Sequence, residues 1–454
     1  MAEPSRRHHA PRHVPAAGTG WRYRAGVENF CAGAIDGMLL HCPQLGIYSP
    51  YGFLYCIFQS CRCAFLNPMK ILRLWHAAVV TEYRKKLRAI ALRDDIDLRV
   101  LVPVSWIEGG KRTFFVANND IDLKYAISTG RVLRRNNIQR HFYLTRLFGL
   151  MLSFKPDIID MEEEPHAYVA LQVTLYKKLL SPKSKIIFHS ADSISRHTRE
   201  FAGIYRSVLA GANAAIVRNQ QTRQKLQQNG FTKPIFITGN GIDLSHFTPA
   251  PVPHLRNELG IADKIVIGFV GKLKKGKGIW TLLEAFAQLP PSTHLLMVGD
   301  GNERQAFADK VTELKIAHRV ILTGTIEHDK VLDYYRAMDV CVLPSITQGG
   351  WKEFFGRTLI EAMACGIPVI GSSSGSIPDT IGNAGLIFRE KEAGDLLDKM
   401  RILTGNQEVR EDLIRKGRQR AREFSWENVA QVHWQAYDCV MGTAQDPHAS
   451  APGA

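Results

Sequence analysis

Strand-like and helix-like segments alternate along this chain in two successive sets, and this alternation restricts its fold more than any other feature. Short apolar segments joined by helical stretches are typical of parallel sheets, because each parallel connection crosses over through a helix. The first set predicts strands at 70–74, 98–104, 157–161, 185–189, 214–217 and 234–238, and helices at 80–93 and 138–153. The second set predicts strands at 264–270, 294–298, 320–323, 340–343, 368–370 and 385–388. We therefore expect an α/β protein with two doubly wound, Rossmann-like domains that face each other across a cleft.

Turn-forming residues mark the boundary between these two domains. Residues 240–243 read as a turn, and three prolines follow within 249–253. A chain of 454 residues is also long for a single core and typical of two domains. The predicted boundaries are 69–250 for the first domain and 251–424 for the second.

Residues 1–68 do not follow the α/β pattern. The first twenty residues are rich in Pro, Arg, His and Ala, which predicts disorder. Residues 37–61 contain no Asp, Glu, Lys or Arg, but prolines, glycines and a histidine interrupt them, which argues against a membrane-spanning helix or a signal peptide. We expect 1–68 to be either a disordered extension or the product of an upstream start assignment. The tail 443–454 is also predicted to be disordered.

Charge and cysteine content restrict the partners and the compartment. A formal net charge of +15 favours an anionic partner, which could be a phosphate-rich substrate, an acidic membrane or a nucleic acid. The eight cysteines do not form a disulfide framework, because five crowd into the first 63 residues and the others are far apart in apolar or helical patterns. Cys61 and Cys63 lack the two-residue gap of most zinc-ligand pairs. The prediction is a reduced, cytoplasmic protein.

Residues 351–375 read as a loop, a short helix and a buried strand in close succession. Gly356 permits a tight turn before the helix, and Gly366 suits the left-handed position that ends it. The loop contains Glu353 and the helix contains Glu361. A helix N-terminus favours a phosphate, and a carboxylate beside that phosphate would suit the vicinal diol of a ribose. Taken alone, the two glutamates could equally serve only to satisfy the helix N-terminus.

The run from Glu353 to Ile370 resembles the signature of the retaining family-4 glycosyltransferases, which have the two-domain GT-B fold. The resemblance implies that Glu353 contacts the donor sugar and that Glu361 holds the nucleotide ribose. Many relatives have Gln where this chain has Phe354, so the resemblance leaves the donor sugar open. It further implies that residues 425–442 form a closing helix on the first domain. The remaining donor-side residues that it implies are Phe355, Gly356, Arg357, Thr358 and Leu359.

Three further loops of the second domain follow strand ends. The first, residues 271–278, is rich in glycine and lysine but is not a Walker motif, and by itself it could be a solvated basic turn. The resemblance implies that two of its lysines hold the donor diphosphate. It also implies that the loops after the next two strands line the nucleotide. The residues concerned are Gly271, Lys272, Lys277, Gly299, Thr325 and Ile326.

The resemblance also implies three candidates for the acceptor side, all in the first domain. His189 closes a predicted strand at the cleft, although most single histidines are structural. Glu164 lies in a run of three carboxylates before a proline, and His76 follows the first strand. Residues 131–155 mix arginines with aromatic and aliphatic residues, which predicts an amphipathic helix on an anionic membrane, or alternatively a helix with an ordinary core face.

The function expected from these residues is retaining transfer of a sugar from a nucleotide-diphosphate sugar to a saccharide or lipid-linked acceptor, in polysaccharide or glycoconjugate assembly. The predicted catalytic residues are Glu353, Lys272, Lys277 and His189. Lysines that stabilise the departing diphosphate make a metal unnecessary there, and no cofactor or specific nucleic acid is expected. The alternatives are a non-catalytic basic protein that binds membranes or nucleic acid, and a GT-B epimerase.

Overall fold

The computed structural model describes residues 67–108, 111–117, 124–191, 199–327 and 329–444. The expectations for residues 1–66 and for the tail beyond residue 444 lie outside this part of the chain. Within it, two parallel sheets are each covered by helices on both faces.

The first half contains one parallel sheet and two short antiparallel pairs. Its strands are Met69–Leu74 (β1), Ile96–Pro103 (β2), Ser105–Glu108 (β3), Lys111–Phe114 (β4), Tyr125–Gly130 (β5), Val132–Leu133 (β6), Phe142–Tyr143 (β7), Ile158–Met161 (β8), Lys185–Ser190 (β9), Ala214–Val217 (β10) and Ile235–Ile237 (β11). Its helices are Lys85–Ile90 (α1), Leu147–Phe154 (α2), Tyr168–Leu180 (α3), Arg199–Gly211 (α4) and Gln220–Gln228 (α5). The sheet order is β11-β10-β9-β8-β1-β2-β5. The chain therefore reverses direction across the sheet between β1 and β8.

The second half repeats this plan. Its strands are Ile265–Val270 (β12), Thr293–Val298 (β13), Val320–Gly324 (β14), Val340–Leu343 (β15), Val369–Ser372 (β16) and Leu386–Phe388 (β17). Its helices are Pro253–Glu258 (α6), Ile279–Ala287 (α7), Arg304–Glu313 (α8), Val331–Arg336 (α9), Arg357–Ala364 (α10), Ile377–Ile381 (α11), Ala393–Gly405 (α12), Gln407–Arg422 (α13) and Trp426–Met441 (α14). The order β14-β13-β12-β15-β16-β17 reverses between β12 and β15.

Both sheets are buried on both faces, as their nearly continuous apolar strands require. Successive side chains of one strand enter different cores: Ile71 packs in one cluster and Leu72 in another, and Val266 and Ile267 alternate in the same way. Helices on each face then remove both sets of side chains from water. The apolar strands predicted from the sequence lie in these sheets.

Helix α14 belongs to the second half in sequence but packs against the first half. Tyr437 is fully buried in the same cluster as Ile71, and the indole Nε1 of Trp434 donates a 2.9 Å hydrogen bond to the carbonyl oxygen of Ile90. The helix begins at Ser425, whose hydroxyl caps it by accepting from the N–H of Asn428. Helix α14 therefore completes the core of the first domain.

The predicted helix at 138–153 was wrong in its first half. Phe142 and Tyr143 form a short strand that pairs with Val132 and Leu133, and Arg146 then adopts a left-handed φ of 72°. The helix therefore begins only at Leu147. Aromatic residues favour strands as well as helix faces, and periodicity alone did not separate the two.

Candidate active site

Two loops meet at the point where the strand order of the second sheet reverses. Residues 271–278 follow β12, and residues 344–356 follow β15, its neighbour in the sheet. Carboxyl ends of parallel strands at such a reversal leave a crevice between diverging loops, where α/β proteins bind ligands. The first sheet meets this crevice: the Nδ2 of Asn219, after β10, donates 3.1 Å to the carbonyl of Phe354, and Gln221 donates 2.7 Å to the carbonyl of Gly375.

Lys277 and Glu353 form an ion pair across this crevice. The Nζ of Lys277 lies 2.6 Å from the Oε2 of Glu353, and their side chains are only 18% and 13% exposed. The same Oε2 accepts 2.8 Å from the hydroxyl of Ser345. The ring of Trp351 lies under the ammonium groups of Lys274 and Lys277, at 4.5 and 5.4 Å from its centroid. A cation and a carboxylate are thus held side by side on two different loops.

Helix α10 begins at this pair with an unprotected N-terminus. Gly356 is the residue before its first turn, with a φ of 81°, and neither a capping side chain nor an acidic residue of the first turn satisfies its N–H groups. A Cβ at Gly356 would lie 3.1 Å from Leu359 and 3.2 Å from Leu343. The partial positive charge of the helix is therefore available to an anion in the crevice.

Glu361 lies one turn inside α10 and already has two donors. Its Oε2 accepts 2.7 Å from the hydroxyl of Tyr335, and its Oε1 accepts 2.7 Å from the Nε of Arg357. Tyr335 is fully buried, and burial, followed by the nearby Glu361, raises the pKa of its phenol well above the ordinary value. Tyr335 is thus a permanent donor to one oxygen. Arg357, about a third exposed, covers the other oxygen on the crevice side.

Glycines let the remaining donor-side loops pack closely. A Cβ at Gly299 would lie 2.0 Å from the carbonyl oxygen of Gly271, and the Gly299 φ is 134°. Lys272 and Thr325 are exposed beside these loops, and Thr358 is half-buried. Three further predicted donor residues have apolar surroundings. Leu359 is fully buried, and Ile326 packs against the apolar cluster that contains Val266. The ring of Phe355 lies edge-on to that of Phe424, with 5.3 Å between the ring centroids.

His189 lies near the carboxyl end of β9, inside the first domain. It is 4% exposed, and its Nε2 lies 2.8 Å from the Oδ1 of Asp160. Burial lowers its pKa to about 4 although Asp160 opposes this shift, so the ring is neutral near pH 7. Its ring faces His433 of α14 at 5.3 Å. The role predicted for His189 beside the reacting sugar stays a prediction.

Sequence reasoning missed the buried charges around His189. Arg73 is fully buried and pairs with both Asp160 and Glu162, while Lys86 lies 2.5 Å from Glu162. The signal was present, because an arginine and an aspartate each interrupt an otherwise apolar strand, and buried charges require partners. Which groups pair, however, depends on the register between β1 and β8, in which Arg73 lies opposite Asp160.

His76 and Glu164 occupy different positions on the first domain. Glu164 accepts 2.6 Å from the hydroxyl of Ser190 and 2.7 Å from the N–H of Ala191, and so ties together the ends of β8 and β9. His76 instead contacts Glu163: its Nδ1 lies 2.8 Å from each carboxylate oxygen. His76 was predicted from the sequence to lie on the acceptor side, whereas no role was predicted for Glu163.

The chain is similar to known proteins both in sequence and in structure. Residues 252–420 match the family model described as glycosyl transferases group 1. The chain is 29% identical over 319 residues to the D-inositol 3-phosphate glycosyltransferase of Corynebacterium jeikeium, covering 66% of this chain and 71% of that protein. Seven further curated relatives are spanned by this chain over only 52% to 58% of their length.

Solved structures share the fold over about four fifths of this chain. The sucrose-phosphate synthase of Thermosynechococcus elongatus superposes with a TM-score of 0.62 at 20% identity, over 83% of this chain and all of that chain. Anabaena HepE, solved with UDP and glucose, gives 0.59 at 19% identity, over 82% of this chain and 99% of that one. The expected GT-B fold is confirmed.

The helices of the described residues are all too short or too polar to span a membrane.

Proposed function

We propose that this chain, whose second domain belongs to the glycosyl transferases group 1, transfers a sugar from a nucleotide-diphosphate sugar with retention of anomeric configuration. The observation that carries the proposal is the Lys277–Glu353 pair, held at the uncapped N-terminus of α10 where the strand order reverses. This arrangement offers a cation and a helix terminus to a diphosphate and a carboxylate to the neighbouring sugar.

In this proposal, the leaving diphosphate is stabilised by fixed positive charge. Departure from the anomeric carbon places negative charge on the diphosphate, and Lys272, Lys277 and the N-terminus of α10 are the groups that would meet it. These groups do not need to reorganise during the reaction, so the transfer would need no metal ion at the diphosphate. The acceptor would attack from the face that the diphosphate leaves, and the diphosphate would take its proton.

The ribose would bind at Glu361. Its Oε2 is held by Tyr335, whereas its Oε1 accepts from the partly exposed Arg357. A ribose diol can donate to this oxygen once the guanidinium swings towards the diphosphate. Arg357 would then add a further positive charge beside the leaving group, so that binding of the nucleotide and assembly of the charged site are coupled.

The acceptor would be a saccharide, and a lipid-linked one if the first domain binds a membrane. Two helices that pack together expose apolar side chains at i and i+4: Phe148 and Leu152 on α2, and Leu175 and Leu179 on α3. Four arginines of the segment that precedes α2 are also exposed, and anionic lipids would attract such groups. They are Arg131, Arg134, Arg135 and Arg146. The enzyme would then act as a peripheral protein on a membrane surface.

Donor hydrolysis by the full chain tests the proposal. UDP-, GDP- and ADP-sugars are supplied singly, with UDP-sugars first because HepE was solved with UDP. We expect release of one nucleoside diphosphate, lost in Glu353→Gln and retained in the exposed control Lys275→Met. Release that persists in Glu353→Gln, or no detectable binding of any nucleotide sugar, would overturn it. With an acceptor supplied, the anomeric proton of the product reports retention or inversion.

A further inference from the structure

A second cluster of ligand-type side chains lies on the first domain, where its own strand order reverses. His76 follows β1 and Glu163 follows β8, its neighbour in the sheet, while His141 enters from the turn before β7. Their nearest side-chain nitrogen and oxygen atoms all lie within 4.8 Å of one another. None of these residues takes part in the proposed sugar transfer at the second domain.

The two imidazoles and the carboxylate are nearly removed from water. His141 is fully buried, the side chain of Glu163 is 1% exposed and that of His76 is 14% exposed. Trp106 packs against both rings, at 4.6 Å from that of His76 and 5.0 Å from that of His141. Of the three side chains, that of His76 is therefore the most exposed to solvent.

One ring nitrogen of this cluster, the Nε2 of His141, carries no hydrogen that it could donate when the ring is neutral. The Nδ1 of His141 lies 2.9 Å from the carbonyl oxygen of Ile138, which can only accept, so Nδ1 carries the hydrogen. In a neutral ring the Nε2 lone pair then points at the Oε1 of Glu163, 3.8 Å away. Among the described residues this Nε2 has no hydrogen-bond partner. Two buried acceptors thus face each other, which is unfavourable unless a cation lies between them.

The spacing fits a small divalent ion. Ligand atoms about 2.0–2.1 Å from a tetrahedral zinc ion are about 3.3 Å apart. The observed separations from Glu163 are 2.8 Å to His76 and 3.8 Å to His141, which bracket that value. The Ile138 carbonyl also supplies the outer contact that fixes the ring of a ligating histidine.

We propose that His76, His141 and Glu163 form a binding site for a divalent transition-metal ion of the zinc type. Three protein ligands would leave the fourth position of a tetrahedral ion for a water molecule. The site is separate from the donor diphosphate. The proposal rests on these three side chains and does not depend on the proposed sugar transfer.

Metal binding by the full-length protein tests this inference. Chelator-treated protein is titrated calorimetrically with Zn²⁺, and Co²⁺ serves as a spectroscopic probe whose visible bands report four-coordination. His8, His9 and His13 could also take metal, so the measured quantity is the difference between variants. The variants are His76→Gln and Glu163→Gln, and His246→Gln is the control because His246 is similarly half-buried outside the cluster.

We expect the wild type and His246→Gln to bind equally, and His76→Gln and Glu163→Gln to bind one ion fewer and lose the four-coordinate Co²⁺ bands. Circular dichroism establishes that each variant is folded, and Glu163→Gln, which keeps the side-chain shape, serves if His76→Gln is not. Equal binding by all four proteins would overturn the proposal. So would a wild type whose entire uptake disappears when His8, His9 and His13 are replaced by alanine.

Discussion

Replacing Lys277 by methionine tests both roles of the Lys277–Glu353 pair, its contribution to stability and its proposed contribution to turnover. Methionine keeps most of the length and apolar contact of the lysine but removes the ammonium that lies 2.6 Å from Glu353. Among the described residues, the carboxylate then keeps the Ser345 hydroxyl as its one hydrogen-bond partner. The diphosphate proposed to bind there also loses a cation. We therefore expect both stability and turnover to fall.

The magnitudes follow from the exposure of the pair. Breaking a fully buried ion pair costs about 3–5 kcal/mol, whereas an exposed pair contributes about 0–1 kcal/mol. With side chains 18% and 13% exposed, this pair lies between these limits, so the free energy of unfolding should fall by about 1–3 kcal/mol. Loss of one fixed charge from the transition state should lower kcat/KM by roughly 100- to 1000-fold.

The double variant Lys277→Met/Glu353→Gln distinguishes the two effects. Removing the unpaired carboxylate should restore stability to within about 1 kcal/mol of the wild type in urea unfolding. Donor turnover should stay low, because neither the cation nor the sugar-binding carboxylate returns. Lys275→Met, two residues away and exposed, should change neither quantity. Recovery of turnover together with stability, or a loss below roughly ten-fold in Lys277→Met, would refute the assignment of Lys277 to the diphosphate.

Three further changes test other parts of the molecule. Gly299→Ala should cost about 2–4 kcal/mol in thermal unfolding, because its Cβ would lie 2.0 Å from the Gly271 carbonyl oxygen at a φ of 134°; a normal melting temperature would contradict this packing. His189 binds a proton more weakly when folded, with a pKa of about 4, than when unfolded, so the unfolded state takes up more protons between pH 6.5 and 4 and stability falls as pH falls through this window, by up to about 3 kcal/mol. His189→Gln should flatten that dependence in urea titrations, and an unchanged slope would refute it. Phe148→Ser/Leu152→Ser should weaken binding to vesicles of anionic lipid by roughly ten-fold or more without changing donor hydrolysis in solution; equal co-sedimentation would exclude this surface as the membrane contact.

The distribution of apolar residues along the chain predicted the parts of the fold that depend on residues close together in sequence. Apolar runs and crossover helices indicated both parallel sheets. Lys277 and Glu353 are 76 residues apart, and they meet because β12 and β15 are neighbours in the sheet. The family resemblance implied a donor-side role for each residue, but the ion pair between them was not predicted from the sequence.

Interactions across strands and helices lay beyond local pattern. The cluster of His76, His141 and Glu163 draws on three separate segments, so only the tertiary structure brings it together. The helix predicted at 138–153 failed because pairing of β6 with β7 overrode the helical preference of its first residues. In each case the missing information was which segments become neighbours.

Helix α14 has a consequence for the order in which the protein is made. The first domain is translated before the second, but the side chains of His433 and Tyr437 that cover its buried Arg73 and Asp160 are translated only after the whole second domain. Until α14 has been made, these charged groups, which belong in the interior, lack its cover. The core of the first domain is thus completed only after the second domain has been translated, and a chain cut short before residue 426 would lack the part that α14 contributes.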